Sequence, residues 1–481
     1  MNFGSLTATE IHELVASGQV SATELTSQVL DQIGRLNSSL NCFISTCEDY
    51  SLKLAEEIER KLTVGDNPGR LAGVPLAIKD NICVKDLPLT CASEILDGYV
   101  SPYHATAIEK LIAEGAIIVG KTNLDEFGMG SSNEYSRYGR VKNPLDHDRV
   151  AGGSSGGSAA SVAADLVPLA LGTDSGGSVR QPASLCGIYG LRPTYVTVSR
   201  YGLVEFGSSF DQIGPLARNL TDLELIYSII SGCDERDATS LDYEYGHTNI
   251  TGAKSAQLKV GVISEYHDFD YQPEVKDCLN KKAKLLENCD CEIIEVSLPH
   301  SDLALSCYYV LANAEASSNL ARYDGVRYGR RTRGDQSLAG MYCRTRGQGF
   351  GPEVRRRIML GTYVLSSGYY EAWYLKARQA KKLIRADFEQ AFKLVDLILT
   401  PTSPTTAFKA GEKTVNPLDM YLADLFTIPP VLAGLPALSI PAGADKLGLP
   451  IGIQLSASRF REDLLFSVAR RLEELGGGGG E

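Results

Sequence analysis

Apolar positions near the start of the chain recur every three to four residues, which is the period of an amphipathic helix. Ser21-Ala22-Thr23-Glu24 is typical of a capping box and predicts a helix that continues to about Ile33. A shorter helix is predicted from about Thr9 to Ala16. Together these patterns predict an N-terminal helical layer over about residues 1–64.

The rest of the chain alternates between short apolar runs, which predict strands, and longer amphipathic patterns, which predict helices. The predicted strands are 74–78, 116–119, 167–171, 260–263, 292–296, 397–399 and 451–455, and the predicted helices are 105–114, 275–287, 353–392 with an interruption near 366–368, and 462–475. This alternation predicts an α/β protein. Because no repeat or linker interrupts it, we expect one domain over 1–475, followed by a flexible glycine-rich tail over 476–481.

Composition narrows the class of protein. The chain has 481 residues, of which 43% are hydrophobic and 22% charged, as in a globular protein with a large core. Its net charge of -12 disfavours unaided binding to nucleic-acid phosphates. The cysteines lack zinc-site spacing, so we expect no metal. The start has no signal-peptide pattern and no apolar run is long enough to span a bilayer, which favours the cytoplasm.

A glycine-rich tract places permissive backbone beside hydroxyl groups twice, at Gly152–Ser158 and at Gly172–Pro182. Such a tract indicates a site built partly from main chain. A P-loop requires a lysine directly after its glycines, and a dinucleotide fingerprint requires a Gly-x-Gly-x-x-Gly spacing. Neither pattern is present, so we expect no nucleotide or other cofactor on this chain.

A serine nucleophile in this tract needs a base to accept its proton. Among the six histidines, His147 lies close to the tract, but its polar loop favours a solvated surface position, and no Gly-x-Ser-x-Gly elbow is present. A lysine can act as the base if its pKa falls by about 3 units from about 10.4. Lys79 ends the apolar run 74–78, which disfavours a charged side chain. On local sequence alone, a lysine that reaches solvent at the strand end is the alternative.

Three segments together carry a resemblance to a known family: Gly153-Ser154-Ser155-Gly156-Gly157, the run Gly172–Pro182, and Pro75–Asp80. They resemble the amidase signature family of Ser-Ser-Lys amide hydrolases. The resemblance implies a mixed central β-sheet covered by helices on both faces. It also implies that Ser178 is the nucleophile, that Ser154 is a bridging serine after a cis peptide bond, and that Lys79 is the base.

The same resemblance implies an oxyanion hole made by the backbone of Ser175, Gly176, Gly177 and Ser178. For Ser155 the sequence leaves two alternatives open, a hydrogen bond that supports the site or packing of the loop. Ser158 and Asp174 are expected to be structural, with Arg180 paired to a carboxylate.

Segments outside the catalytic tract narrow the resemblance to the A-subunit family of the glutamyl-tRNA(Gln)/aspartyl-tRNA(Asn) amidotransferases. These segments are Thr122–Ser131, Ser199–Val204, Ser209–Pro215 and Glu315–Leu320. The resemblance implies that the ammonia donor is free glutamine, or sometimes asparagine. It assigns the glutamine α-carboxylate to Arg357, the α-ammonium to Asp424, and a supporting hydroxyl to Tyr308.

The resemblance also implies partners. A B subunit would activate Glu-tRNA(Gln) with ATP and magnesium and hold most of the tRNA, and a small C subunit would complete a heterotrimer. Ammonia released from glutamine would pass to the B subunit. Two alternatives are a stand-alone hydrolase of small amides, which shares the triad but lacks the amino-acid clamp, and a catalytically silent scaffold, which the intact triad disfavours.

The chain departs from the family pattern at three places. Pro430-Val431 replaces a usual Val-Asn, Val196-Thr197 replaces a usual Gly-Arg, and Arg140-Val141 replaces a usual Pro-Thr. The change at Val431 removes a side-chain amide beside the presumed substrate pocket. We expect these positions to affect substrate binding or subunit contacts and to leave Lys79, Ser154 and Ser178 unaffected.

Overall fold

The computed structural model describes residues 3–241, 258–267, 269–289, 291–334 and 337–476, so the predicted tail beyond Gly476 lies outside the described residues. The α-helices are α1 Ala8–Ala16, α2 Ala22–Leu40, α3 Glu48–Val64, α4 Thr106–Ala113, α5 Gly156–Ala163, α6 Arg180–Cys186, α7 Leu220–Ile230, α8 Pro273–Glu287, α9 Ala304–Asn319, α10 Leu338–Gly349, α11 Pro352–Val364, α12 Lys376–Ala391, α13 Pro417–Tyr421, α14 Ile428–Ala433 and α15 Glu462–Gly476. A π-helical segment, Tyr370–Leu375, leads into α12.

The strands are β1 Phe43–Thr46, β2 Pro75–Lys79, β3 Ile117–Thr122, β4 Lys142–Asn143, β5 Asp146–Val150, β6 Leu169–Asp174, β7 Tyr189–Arg192, β8 Gln212–Ala217, β9 Lys259–Ile263, β10 Glu292–Val296, β11 Leu397–Pro401, β12 Ala437–Ala444 and β13 Pro450–Ala457. Eleven of them form one sheet in the order β1-β3-β2-β6-β8-β7-β12-β13-β11-β9-β10. Strands β4 and β5 form a separate antiparallel pair.

The large sheet is mixed, as predicted. The pairs β2–β3, β2–β6, β9–β10 and β9–β11 are parallel, and the remaining neighbours are antiparallel. Every residue of β2, β3, β6, β8 and β11 is buried. Because successive side chains of a strand point to opposite faces, burial of all of them means that both faces of the sheet are covered.

The N-terminal segment forms the predicted helices. Ser21 caps α2 by accepting a hydrogen bond from the backbone N–H of Glu24 at 3.2 Å. The reciprocal capping box forms at the start of α1 instead, between Thr7 and Glu10. Helix α2 continues past the predicted end to Leu40, where Asn41 adopts a left-handed conformation and stops it.

The parallel pairing of β2 with β6 positions Lys79 and the glycine-rich tract. Leu76, Ala77 and Ile78 of β2 lie opposite Leu169, Ala170 and Leu171 of β6. The carboxyl ends of the two strands therefore meet at one edge of the sheet, which is where open α/β sheets bind their ligands. Lys79 at the end of β2 is consequently brought beside Thr173 and the glycine-rich loop that follows β6.

Val196 shows the structural consequence of one departure from the family pattern. Its φ of 92° lies in the region that favours glycine, and the family usually has glycine at this position. A β-branched residue there carries a conformational cost of about 1–3 kcal/mol. Burial of the Val196 side chain, which is 6% exposed, offsets part of that cost.

Candidate active site

Lys79 is fully buried, and its ammonium is surrounded by oxygen acceptors. Its Nζ donates to Ser154 Oγ at 2.7 Å, to Ser155 Oγ at 2.9 Å and to Thr173 Oγ1 at 2.9 Å. The alternative of a solvent-exposed lysine at the strand end is therefore wrong. Polar partners satisfy the buried amine, as a lysine inside an apolar strand requires.

Burial lowers the pKa of Lys79 from its usual value to about 7, although the carboxylates of Asp125, Asp174 and Asp211 act in the opposite direction. The lysine is therefore substantially neutral near neutral pH. A neutral amine has a lone pair, so Lys79 can accept a proton from Ser154 Oγ. Lys79 can therefore serve as the base of this site without a histidine.

Ser154 lies on the loop before α5, after a cis peptide bond between Gly153 and Ser154, as the resemblance implied. The neighbouring Ser155 makes the supporting hydrogen bonds that sequence left open, because its Oγ accepts from Lys79 and donates to the Thr173 carbonyl at 3.2 Å. The Ser155 N–H also donates to the Ser178 carbonyl at 3.1 Å, which ties the two serine loops together.

Ser178 follows the loop after β6 and remains 8% exposed, whereas Ser154 is 1% exposed. Within the described parts of the chain, the backbone N–H groups of Gly176, Gly177 and Ser178 donate to no acceptor. Unpaired amides beside a serine are the donors that an oxyanion hole needs.

Steric contacts explain why positions 176 and 177 of this loop are glycines. Gly177 has a φ of 143°, and a Cβ there would lie 2.2 Å from Thr427 Oγ1. A Cβ at Gly176 would lie 2.8 Å from the Tyr308 hydroxyl. Thr427 Oγ1 also donates to the Gly176 carbonyl at 2.7 Å, which holds the loop. The Tyr308 hydroxyl therefore lies against this loop, and its role as a supporting hydroxyl for the substrate stays a prediction.

A buried ionic cluster fixes the base of this loop. Asp174 accepts two hydrogen bonds from Arg180, at 2.9 and 3.0 Å, and lies 3.3 Å from Arg192 Nη1. Burial alone would raise the pKa of Asp174, but the two guanidinium groups lower it to about 2. This confirms the pairing of Arg180 with a carboxylate, and Asp174 is the partner.

Asp211 holds the other end of the loop and was missed from sequence. Its carboxylate accepts a hydrogen bond from Ser175 Oγ and from the backbone N–H groups of Phe206, at 2.7 Å, and Gly207, at 3.0 Å. Thr173 was missed as well. The available signal for Thr173 was its position two residues after Leu171, near the end of β6. This position brings the Thr173 hydroxyl beside Lys79.

Arg357 on α11 is 3% exposed and forms an ion pair with Glu353 one turn earlier, through Nε at 2.8 Å. The rings of Tyr309, Phe206 and Tyr421 surround the guanidinium, with centroids at 5.3, 5.6 and 5.6 Å. The two terminal nitrogens of Arg357 have no partner among the described residues. They remain available for a planar anion such as a carboxylate.

Asp424 is 6% exposed and has one occupied and one unpaired oxygen. Its Oδ2 accepts a hydrogen bond from Ser131 Oγ, whereas Oδ1 is buried without a partner in the described residues. Burial raises the pKa of Asp424 to about 7, against the effects of the Ser131 hydrogen bond and the Arg357 charge. An ammonium group at Oδ1 would satisfy this orphan acceptor.

In the described ranges, no group of histidine, cysteine, aspartate and glutamate side chains is arranged to hold a metal ion. No described helix has the length and apolar character needed to cross a membrane.

The sequence profile of the amidase family matches residues 24–466, and the chain belongs to this family. The A subunit of glutamyl-tRNA(Gln) amidotransferase from Cyanothece sp. is 50% identical over 468 residues, which cover 97% of each protein. The crystal structure of the corresponding A subunit from Thermotoga maritima is 41% identical, with a TM-score of 0.81, and the match covers 98% of this chain and 95% of that one. A solved peptide amidase is 25% identical, with a TM-score of 0.79 and coverage of 98% of both chains.

Proposed function

We infer that this chain is the glutamine-hydrolysing subunit of a tRNA-dependent amidotransferase. Two findings favour this function over a stand-alone hydrolase of small amides. The amidotransferase A subunits are about twice as similar in sequence as the peptide amidase, at 50% against 25% identity. The site also has two opposite charges suited to a free amino acid.

The observation that carries the substrate assignment is the pair of unsatisfied groups on Arg357 and Asp424. A free α-amino acid has a carboxylate, which needs a donor, and an ammonium, which needs an acceptor. The terminal nitrogens of Arg357 and the Oδ1 atom of Asp424 offer one of each. A simple amide substrate would leave the Oδ1 atom of Asp424 buried and unpaired, which is costly, and would leave the terminal nitrogens of Arg357 without an acceptor.

We propose that Ser178 Oγ attacks the side-chain amide carbon of glutamine. Its proton passes to Ser154 Oγ as Ser154 gives its own proton to neutral Lys79. The amides of Gly176, Gly177 and Ser178, with Ser175 at the start of the loop, stabilise the oxyanion. The relay then runs in reverse, the C–N bond breaks, and ammonia leaves a glutamyl ester on Ser178.

Water then attacks the ester, using the same relay, and releases glutamate. In the proposed complex, ammonia passes to a B subunit that binds ATP and magnesium and amidates Glu-tRNA(Gln), and a small C subunit completes the heterotrimer. The complex works in the cytoplasm. The net charge of -12 on this chain agrees with tRNA being held mainly by the B subunit.

The proposed amino-acid clamp, formed by Arg357 and Asp424, is tested by the variant Arg357→Ala. Loss of the charge-assisted hydrogen bonds to the glutamine carboxylate costs about 1.5–3 kcal/mol, so we expect KM for glutamine to rise roughly 10- to 100-fold. Ser178 should still react with a fluorophosphonate at a rate close to that of the wild type, because this reagent has no carboxylate. Steady-state kinetics of glutamate release and the labelling rate are the two measurements.

The matched control is Arg356→Ala. Arg356 lies on the same helix and also pairs with Glu353, but its side chain is 41% exposed. We expect its KM to stay within about twofold of the wild type, as for most surface substitutions. An equal loss of labelling and glutaminase activity in Arg357→Ala would contradict a clamp, and so would the same KM increase in both variants.

A further inference from the structure

A pocket of about 410 Å³ is lined by residues of α9, α12 and α14. Leu311 and Glu315 enter it from α9, and Val431 enters it from α14. Val431 lies one helical turn after Thr427, which contacts the Gly176 carbonyl. The pocket thus begins one helical turn from a residue that contacts the proposed oxyanion loop, and neither Arg357 nor Asp424 lines it. The mechanism proposed above does not use this space.

Cations dominate the lining of this pocket. Helix α12 contributes Arg378, Lys381, Lys382 and Arg385, which recur at a spacing of three to four residues and so share one face of the helix. Arg459 is the fifth cation. Glu315 is the single carboxylate of the lining, and its Oε2 already accepts a hydrogen bond from the Ser209 N–H at 2.9 Å.

Most of these cations form no side-chain hydrogen bond or ion pair within the described part of the protein. The Lys381 ammonium has neither a hydrogen bond nor an ion pair there, and it lies 4.3 Å from the centre of the Phe210 ring. Arg459 has a buried Nε without an acceptor. Only Arg385 forms an ion pair, with Glu389 on the exposed surface.

Partial burial of unpaired like charges is unfavourable for the protein alone. Burial lowers the pKa of both Lys381 and Arg459; the Glu315 carboxylate acts in the opposite direction on Lys381, and the positive charge of Arg385 acts on each in the same direction as burial. A bound anion would reverse this effect and supply the missing acceptor for Arg459 Nε. This arrangement is therefore typical of an anion-binding site.

We propose that this pocket binds a small molecule that carries a di- or triphosphate group. The cations outnumber the carboxylate by five to one, so a monocarboxylate would leave most of them unpaired. A di- or triphosphate brings several charges on closely spaced oxygens, and guanidinium groups bind such oxygens in pairs. The volume lies within the range of about 300–1,000 Å³ that is usual for small-molecule sites.

The test is isothermal titration calorimetry of the full-length chain with pyrophosphate, and with ATP in the absence of divalent cations. We expect saturable binding that weakens at least tenfold in Lys381→Gln/Arg459→Gln. A second variant, Arg378→Gln/Lys382→Gln, changes two exposed positions that cannot disturb the core, and we expect it to weaken binding too. The matched control, Lys281→Gln/Lys393→Gln, removes the same charge from exposed positions outside the pocket and should bind as the wild type does.

Two further titrations define the class of ligand. Glutamate tests whether a carboxylate suffices, and a single-stranded oligoribonucleotide without terminal phosphates tests a nucleic-acid backbone. The proposal is overturned if the wild type shows no saturable binding of pyrophosphate or ATP, or if the control loses binding as much as the pocket variants. Equal binding of glutamate, or binding of the oligoribonucleotide alone, would also overturn it.

Discussion

Replacing Ser178 by alanine should lower kcat for glutamine hydrolysis by about 10⁴- to 10⁶-fold. Without Oγ no glutamyl ester can form, so only attack by water assisted by the oxyanion hole remains. Glutamate release by the chain assembled with its partner subunits is the measurement. Added ammonium salt should restore amidation of the tRNA in the same preparation, because it bypasses Ser178.

The matched control for this variant is Ser184→Ala. Ser184 is a buried serine on α6, the helix that follows Ser178, and its Oγ accepts a hydrogen bond from the Gly452 N–H at 3.0 Å rather than from Lys79. We expect this variant to keep kcat within a few-fold of the wild type. Residual glutaminase activity above about 1% in Ser178→Ala would contradict the role of Ser178 as nucleophile.

Replacing Lys79 should lower kcat almost as much as replacing Ser178, and the pH dependence of kcat should show the reason. Lys79→Met removes the proton acceptor, whereas Lys79→Arg retains a positive charge that cannot be lost at neutral pH. We expect both variants to lose at least about 10³-fold in kcat, since general base catalysis typically contributes about 10²- to 10⁴-fold and the serine relay depends on it. Substantial activity in Lys79→Arg would contradict the role of Lys79 as base.

The pH profile of the wild type follows from the same group. The pKa of Lys79 is lowered to about 7, so below that pH the amine gains a proton and loses the lone pair that accepts from Ser154. We therefore expect kcat to fall as pH decreases through about 7. Asp424, with a pKa raised to about 7, loses its charge in the same range, which should appear as a rise in KM.

The carboxylate effect can be separated from the lysine effect with Asp424→Asn. This variant should have a high KM at every pH, whereas the fall in kcat below about pH 7 should remain, because Lys79 is unchanged. Parallel measurements of kcat and KM over about 2 pH units on either side of the two pKa values of about 7 distinguish the two groups.

Much of the fold was predictable because its central strands are continuous apolar runs. Strands β2, β9 and β10 appear where the pattern predicted them, within two residues at either end. Strands β8 and β12 were missed because Gly214-Pro215 and Pro441 lie inside them, and glycine and proline are typical of turns. Burial by neighbouring strands overrides that local preference.

The proposed catalytic residues come only from a family pattern, and the contacts that support them in the structure could not be predicted from the sequence. Local sequence is compatible with a Lys79 side chain that reaches solvent. Thr173 becomes a neighbour of Lys79 only because strand β2 pairs with strand β6. Ser131 and Asp424 are 293 positions apart, so no local signal could connect them. The basic pocket could not be predicted for the same reason, because Arg459 is distant in sequence from the α12 cations that line the pocket with it.

The most direct test of the central claim is to trap the acyl-enzyme. The assembled complex is mixed with glutamine, quenched with acid within milliseconds, digested, and examined by mass spectrometry. We predict one glutamyl group on the peptide that contains Ser178, linked to the Ser178 side chain and missing in Ser178→Ala. A glutamyl group on a different residue, or glutamate production with no covalent adduct in the wild type under conditions that trap the ester of a known serine amidase, would contradict the account.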